Sequence, residues 1–502
     1  MKSKQHRSNL LGSYRWHAAT SLAGLLLAAT PAGAVDFNWQ LAAPAVGNWS
    51  NGAHWNPAGP PSGGGGNHAL INNGGTAVIS ADIGDIQDIF VGVGVGTSGT
   101  LSQTGGNTFQ GTGSWMFVGQ DGGTGVYNLS GGTQDKGRLY IGRGNGGDGT
   151  LNLSGTGTVD NEMLIVGEGG GSTGHVSVMG NGSVSASSEI WFGNAGGVAT
   201  ADITSGAVES EEWIAIGRDS GTGTVNLSGT GRLAKIGADD KFITLGALGA
   251  GGGGTLNIAD SAVLESDTGL VLSETAGRYG VVNQTGGTVT LHDFVNPLYG
   301  KSLHVDYAGG GLGEYHLAGG TLNAETIDAT TGVFDMTGGV LSAITFEGDL
   351  IQNGGTTSPG SSPGIMTVMG NYALNSGSLL IELMGLTAGT GYDQLVVTGD
   401  VSLAGSLDLL LGFIPSINDM FTIIDNQGPN AVIGSFLEGV SLTVGGFDFS
   451  IDYQGGDGND VVLTVVGIAS EIAEPSAVLL LPIGIAALAA RVRRRRAAPV
   501  RR

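Results

Sequence analysis

The sequence predicts an all-β protein: a right-handed parallel β-helix with a β-rich C-terminal cap and short helices only at the two chain ends. Three observations carry that expectation. A short apolar run ending in glycine recurs as Phe90-Val91-Gly92, Phe117-Val118-Gly119, Tyr140-Ile141-Gly142, Ile165-Val166-Gly167, Trp191-Phe192-Gly193, Ala215-Ile216-Gly217 and Thr244-Leu245-Gly246, with 27, 23, 25, 26, 24 and 29 residues between the glycines. A second anchor keeps step with it in Gly125–Gly131, Gly149–Gly155, Gly223–Gly229 and Gly254–Asp260, with weaker copies from Gly99, Gly174 and Gly280. Degenerate copies follow at Tyr315–Gly320 and Phe334–Gly339. Between the anchors there is no helical periodicity.

A repeat near 25 residues is the length of one β-helix coil and too short for a propeller blade of about 40. Glycines at the corners allow the chain to turn with positive φ. One coil cannot bury its apolar side chains alone, but stacked coils share a core. The 96 glycines and 13 prolines would point to disorder if they were unphased. Two anchors in phase exclude that. The chain has no cysteine, so disulfides do not supply its stability.

The segments read in order as follows. Residues 1–34 have the three parts of a secretory signal: basic Lys2, Lys4, Arg7 and Arg15, an apolar run from Ala18 to Ala29, and small residues at Ala32-Gly33-Ala34, with cleavage expected after Ala34. Residues 35–85 carry Trp39, Trp49 and Trp55 and are expected to plug the open first coil, which would otherwise present bare strand edges. The same tryptophans could instead stack on sugars, the less common use of large aromatic side chains. Residues 86–345 hold the repeats and 346–467 a β-rich C-terminal region, where Phe447-Asp448-Phe449-Ser450-Ile451 alternates as a half-exposed strand does. Residues 468–502 form a tail. In it Ala473-Glu474-Pro475 precedes an uncharged stretch, Ala477–Ala490, and a basic stop at Arg491, Arg493, Arg494, Arg495 and Arg496. That stretch is short for a membrane span, and the arginines would hold its end at the cytoplasmic face.

The order of motif, short apolar stretch and basic cluster resembles the PEP-CTERM sorting signal of Gram-negative bacteria, with Ala473 where that family has its first proline. The resemblance implies an exosortase and the secretion machinery as partners. It also implies transient contact of the tail with the inner membrane, and delivery to the cell surface or extracellular matrix. The repeats resemble those of autotransporter passenger domains. So does Gly354–Val368 with its two Ser-Pro-Gly segments, found in that group and in PEP-CTERM proteins. This implies an adhesive or matrix role and no reaction. The tail is expected to leave no room for an autotransporter's membrane barrel.

Between Val35 and Ser470 there are 9 Lys or Arg against 41 Asp or Glu. Such a surface repels nucleic acid, which is excluded as a partner. Extracellular polysaccharide is the partner carried forward. In the second anchor, the residue between two apolar neighbours points away from them. It forms the series Ser102, Asn128, Asn152, Ser177, Asp202, Asn226, Asn257, Asn283, His316 and Asp335. This is either an outward ladder that meets a repetitive polymer or a solvated face kept for solubility. Glu162, Glu189, Glu211, Glu212, Asp239 and Asp240 precede apolar runs at similar offsets. Paired carboxylates cleave glycosidic bonds, so a β-helix lyase or glycoside hydrolase acting on acidic glycans is the rival reading; charged turns are the plainer account.

Gly455–Leu463 matches one calcium-binding nonapeptide, making Asp457 and Asp460 a weak calcium candidate and mainly a turn. Histidine spacing, Gly-x-Ser-x-Gly and Walker patterns offer no metal, catalytic or nucleotide site. No catalytic residue and no cofactor other than that calcium is expected.

Overall fold

A computed structural model describes residues 34–62, 66–108, 113–237, 240–293, 300–310 and 312–469. The signal region with Ala32, the motif Ala473-Glu474-Pro475, the arginines Arg491–Arg496 and Asp239 lie outside the described residues. Ala34 is the first residue described. Among the described residues one 3₁₀ turn, Gly52–His54, is the sole helical element, and no helix is long and apolar enough to cross a membrane.

The repeats are coils of a parallel β-helix. One coil runs through Thr124–Leu129 and then the bent strand Thr133–Arg143; the next runs through Asp148–Leu153 and Thr158–Glu168. They pair in parallel, Asn128 with Asn152 on the first side, and Asp135 with Asp160 and Tyr140 with Ile165 on the other two. Three stacks of strands result, one for each side of the coil.

Alternation along the strands decides which side chains enter. Leu101, Tyr127, Leu151, Val176, Ala201, Val225, Leu256, Val282 and Tyr315 form one inward row, all at most 1 % exposed. Each leucine and valine in that row contributes about 1.5–3 kcal/mol by leaving water. The corner glycines have the conformation their recurrence implied: Gly142 sits at φ 71°, and a Cβ there would lie 1.8 Å from the carbonyl oxygen of Thr173, where the coil after the next begins. Its partner in the second anchor, Gly149, has an ordinary backbone. A Cβ there would lie 2.1 Å from the Val118 carbonyl oxygen. The two anchors are therefore one close approach between coils, seen from both sides.

Parallel pairing overruns the expected limits of 86–345. It begins with Asp36 on His68 and His68 on Asp88, and continues through Leu350 on Tyr372, Tyr372 on Val401 and Ser402 on Ile433. The segments read as a separate cap and a separate β region are thus largely coils as well. Their repeat is hidden because coil length drifts: partners lie 33 residues apart at Val281–Glu314 but 19 apart at Glu314–Val333. Among the described residues, antiparallel pairing of strands is confined to the ends, apart from one isolated bridge between Leu383 and Tyr392. Trp39 pairs with Trp55 at the start, and Met420–Asn426, Asp460–Ile468, Phe447–Gly455 and Ser441–Val444 close the far end.

The three N-terminal tryptophans are packed into the core. Trp39, Trp49 and Trp55 are 3, 2 and 2 % exposed and meet edge to face, with Trp55 Nε1 donating to the Trp49 carbonyl at 2.8 Å. Buried rings cannot stack on a sugar.

Candidate binding faces

The outward polar series is a ladder in fact. Each member from Ser102 to Asp335 is the register partner of the next. Its side chains spend their hydrogen bonds on one another. Asn152 Nδ2 donates to Asn128 Oδ1 at 2.8 Å, Asn226 to Asp202 at 2.8 Å, Asn257 to Asn226 at 2.8 Å and Asn283 to Asn257 at 2.9 Å. At the far end His316 Nδ1 lies 3.5 Å from Asp335 Oδ2. An amide bonded along the axis has fewer groups left for a ligand, so this face serves the solenoid first.

The third side of the coil is different. Here the side chains between the inward positions are large and apolar, although they point away from the main core. Phe90, Phe117, Tyr140, Ile165 and Trp191 are successive partners. The rings of Phe90 and Phe117 stack at 5.1 Å and 8°, and those of Phe117 and Tyr140 at 5.1 Å and 13°. Trp115 meets both Phe117 and Tyr140 edge-on at 6.0 Å. With Met163 they form a second apolar cluster, separate from the core.

Arginines roof this cluster. The Arg143 guanidinium lies 4.4 Å from the Tyr140 ring centroid and 5.3 Å from that of Phe117; Arg218 lies 4.2 Å from Trp191 and 5.5 Å from Trp213. A planar guanidinium over a ring is favourable, and its methylene stem covers apolar surface. Between them runs a rail of side chains. Arg143 Nε donates to Glu168 Oε2 at 2.9 Å, Asn194 Nδ2 to Glu168 Oε1 at 3.1 Å, and Arg218 Nη1 to Asn194 Oδ1 at 2.7 Å. Arg218 Nε is buried with no protein acceptor.

The carboxylates expected at the coil turns are distributed around this face and do not converge. Glu162 pairs with Arg138 at 3.4 Å, Glu189 accepts from Trp191 Nε1 at 2.6 Å, and Glu212 accepts from Ser188 Oγ at 3.2 Å. Burial raises the Glu189 carboxyl above its ordinary range, partly offset by the Trp191 bond and by Arg218. Among the described residues no three His, Asp or Glu stand where they could hold one metal ion. Asp457 and Asp460 lie at the turn of the last hairpin, where Asp460 Oδ1 accepts the Asn426 amide at 3.0 Å. That bond makes Asp460 part of the cap.

Two further features go beyond the sequence expectations. Gln103-Thr104-Gly105-Gly106, Gln284-Thr285-Gly286-Gly287 and Gln352-Asn353-Gly354-Gly355 share a pattern. In each the buried glutamine accepts a tyrosine hydroxyl from the next coil: Tyr127 at 2.6 Å, Tyr315 at 2.7 Å and Tyr372 at 2.9 Å. The second is a groove of about 500 Å³ near the Ser361-Ser362 turn. It is floored by Thr290, Asn323, Ser342 and Ser358, which are successive register partners, and flanked by His292, 3.1 Å from Glu325. No family model and no curated protein matches the chain.

Proposed function

We propose that the protein is an exported, surface-sorted solenoid with a structural or adhesive role in the extracellular polysaccharide matrix of a Gram-negative bacterium. One observation carries this reading. The coils present long outward rows at constant spacing, one of amides and one of aromatic and arginine side chains, instead of a convergent cluster of reactive groups. A surface repeating at about 4.8 Å suits a repetitive polymer or a neighbouring rod better than a small substrate. Export rests on the signal pattern ending at Ala34. Sorting by an exosortase rests on Ala473-Glu474-Pro475 and the arginines from Arg491 to Arg496.

Mass spectrometry of the mature termini, from cells with and without an exosortase, tests the sorting. Removal of the tail only when the enzyme is present supports it. A mature chain that keeps Arg502 in both strains would make the protein a membrane-tethered rod instead. The second reading, a lyase or glycoside hydrolase on acidic glycans, draws on the raised carboxyl of Glu189 beside Trp191. Incubation with pectin or alginate decides between them, since new reducing ends or unsaturated products would overturn the structural role.

A further inference from the structure

We propose that the aromatic and arginine side of the middle coils is a binding face for an uncharged or sparsely charged polysaccharide, lying along the solenoid axis over Trp115, Trp191 and Trp213. The inference rests on the matrix role above and adds to it a place and a ligand chemistry.

The first argument is the position of the rings. A sheet face turned to solvent normally carries polar side chains, as the asparagine face of the same coils does. Here Phe117, Tyr140 and Ile165 point outward yet are 4, 4 and 1 % exposed, covered by the side chains around them. Trp115, Trp191 and Trp213 are half-buried, with Arg138 over the first and Arg218 over the other two, and the Trp191 and Trp213 indole N–H groups donate to Glu189 and Thr244. An indole ring offers a flat apolar surface with a polar edge. A pyranose ring is complementary, since it has an apolar C–H face and a rim of hydroxyls.

The second argument is the rail beside the rings. Arg143, Glu168, Asn194 and Arg218 are joined side chain to side chain over successive coils. Planar groups of this kind donate or accept two hydrogen bonds at once, the geometry that neighbouring hydroxyls require. The rail uses Nε of Arg143 and Nη1 of Arg218, and a guanidinium has five N–H donors in all. Arg143 and Arg218 are three coils apart, about 14 Å at strand spacing. A chain of several sugars can therefore span both arginines and lie beside the partly exposed indoles.

Charge narrows the ligand. On this face Arg138 pairs with Glu162 and Arg143 with Glu168, while Arg218 faces Glu189, Asp219, Glu168 and Glu274, so the arginines leave no excess positive charge to attract a polyanion. The whole chain carries −23, which repels a dense polyanion. A second copy of the chain is a poorer occupant, because arginines already roof the most apolar rings and leave a mixed surface.

Affinity electrophoresis of the mature secreted protein tests the site. Gels would contain hydroxyethyl cellulose, galactomannan or alginate, each run at low and high salt. Retardation by one or both neutral polymers, unchanged by salt, is expected, with affinity falling about tenfold or more in Trp191→Ala/Trp213→Ala. The variant Asn152→Leu/Asn226→Leu should bind as the wild type does. Trp191→Phe keeps a ring, so it should retain most binding and separates lost contact from lost fold. Polymer binding should also shield part of the tryptophan emission from acrylamide, because Trp39, Trp49 and Trp55 are already inaccessible.

The proposal is overturned if only alginate retards the protein and salt abolishes it. It is equally overturned if the double tryptophan variant binds like the wild type, or if that variant merely converts a dimer to a monomer. Protein that fractionates with the extracellular matrix but is retarded by no polymer overturns this face alone and leaves the structural role standing.

Discussion

The middle coils, residues 86–291, and the later ones, residues 302–469, share one interior and wear different exteriors. Inside, a glutamine at a glycine corner accepts a tyrosine hydroxyl from the next coil in both, Gln103 with Tyr127 and Gln352 with Tyr372. Outside, the middle coils carry stacked rings under Arg143 and Arg218. From Ser302 to Ala469 there is no Lys or Arg at all against 18 Asp or Glu, and aliphatic side chains such as Ile344, Met369, Leu410 and Met420 are exposed. The contrast teaches that the parallel ladder asks only for inward apolar rows and corners without Cβ atoms. The outer rows are free to vary, and so they are where recognition can differ from coil to coil.

The sharpest way to break this view is at a shared corner. Gly142→Ala places a methyl group against the Thr173 carbonyl in a left-handed backbone, and should cost at least about 3 kcal/mol. Urea denaturation followed by circular dichroism reads it. A midpoint near that of the wild type would mean that the corner relaxes and that the glycine repeat has another cause.

Next in size is the interior pair. Gln103→Leu and Gln352→Leu each strand a tyrosine hydroxyl and the corner carbonyls the amide serves: Gly106 and Thr133 in one, Gly355 and Ser378 in the other. Each should cost about 2–3 kcal/mol. Equal losses in the two regions support a common interior, whereas a loss confined to the middle coils would separate them.

The smallest effect is in the pH response of the later coils. Asp393 accepts the amides of Gly364 and Glu382 at 2.7 and 2.8 Å, yet burial pushes its carboxyl up to about 6. The folded chain then favours the protonated form. This group's contribution is complete below about pH 4 and is lost as the pH rises through 6, at no more than about 1.4 kcal/mol per unit. Asp328 has the opposite sign. The hydrogen bond with His304 above all, with Thr330 and Lys301 adding, holds it well below the usual carboxylate range, so its contribution disappears only as the solution is acidified past that range. Replacing Asp393 with Asn should flatten the stability profile between pH 4 and 6. An unchanged slope would remove Asp393 as its source.

Much of this was legible where a residue type has one physical use. Gly142 and Gly149 announced corners because no other residue fits them. The amide series announced a face because period-two alternation is a rule of strands. The aromatic face was less legible for the same reason: Phe117 and Tyr140 sit in apolar runs with inward Val118 and Ile141, and composition alone does not say which neighbour turns out. The later coils were hidden because drift in coil length destroys a fixed period without disturbing strand pairing.

The sequence by itself determined that the chain is a stack of β coils with glycine corners and an acidic surface. Each of these follows from local chemistry: backbone sterics, side-chain alternation and charge. Tertiary structure decided how far the stack extends, and that the three N-terminal tryptophans are buried. It also brought Arg143, Glu168, Asn194 and Arg218 into one rail. Those facts depend on which residues stand beside one another across coils. That register is set by the packing of whole turns and is not written in any single one.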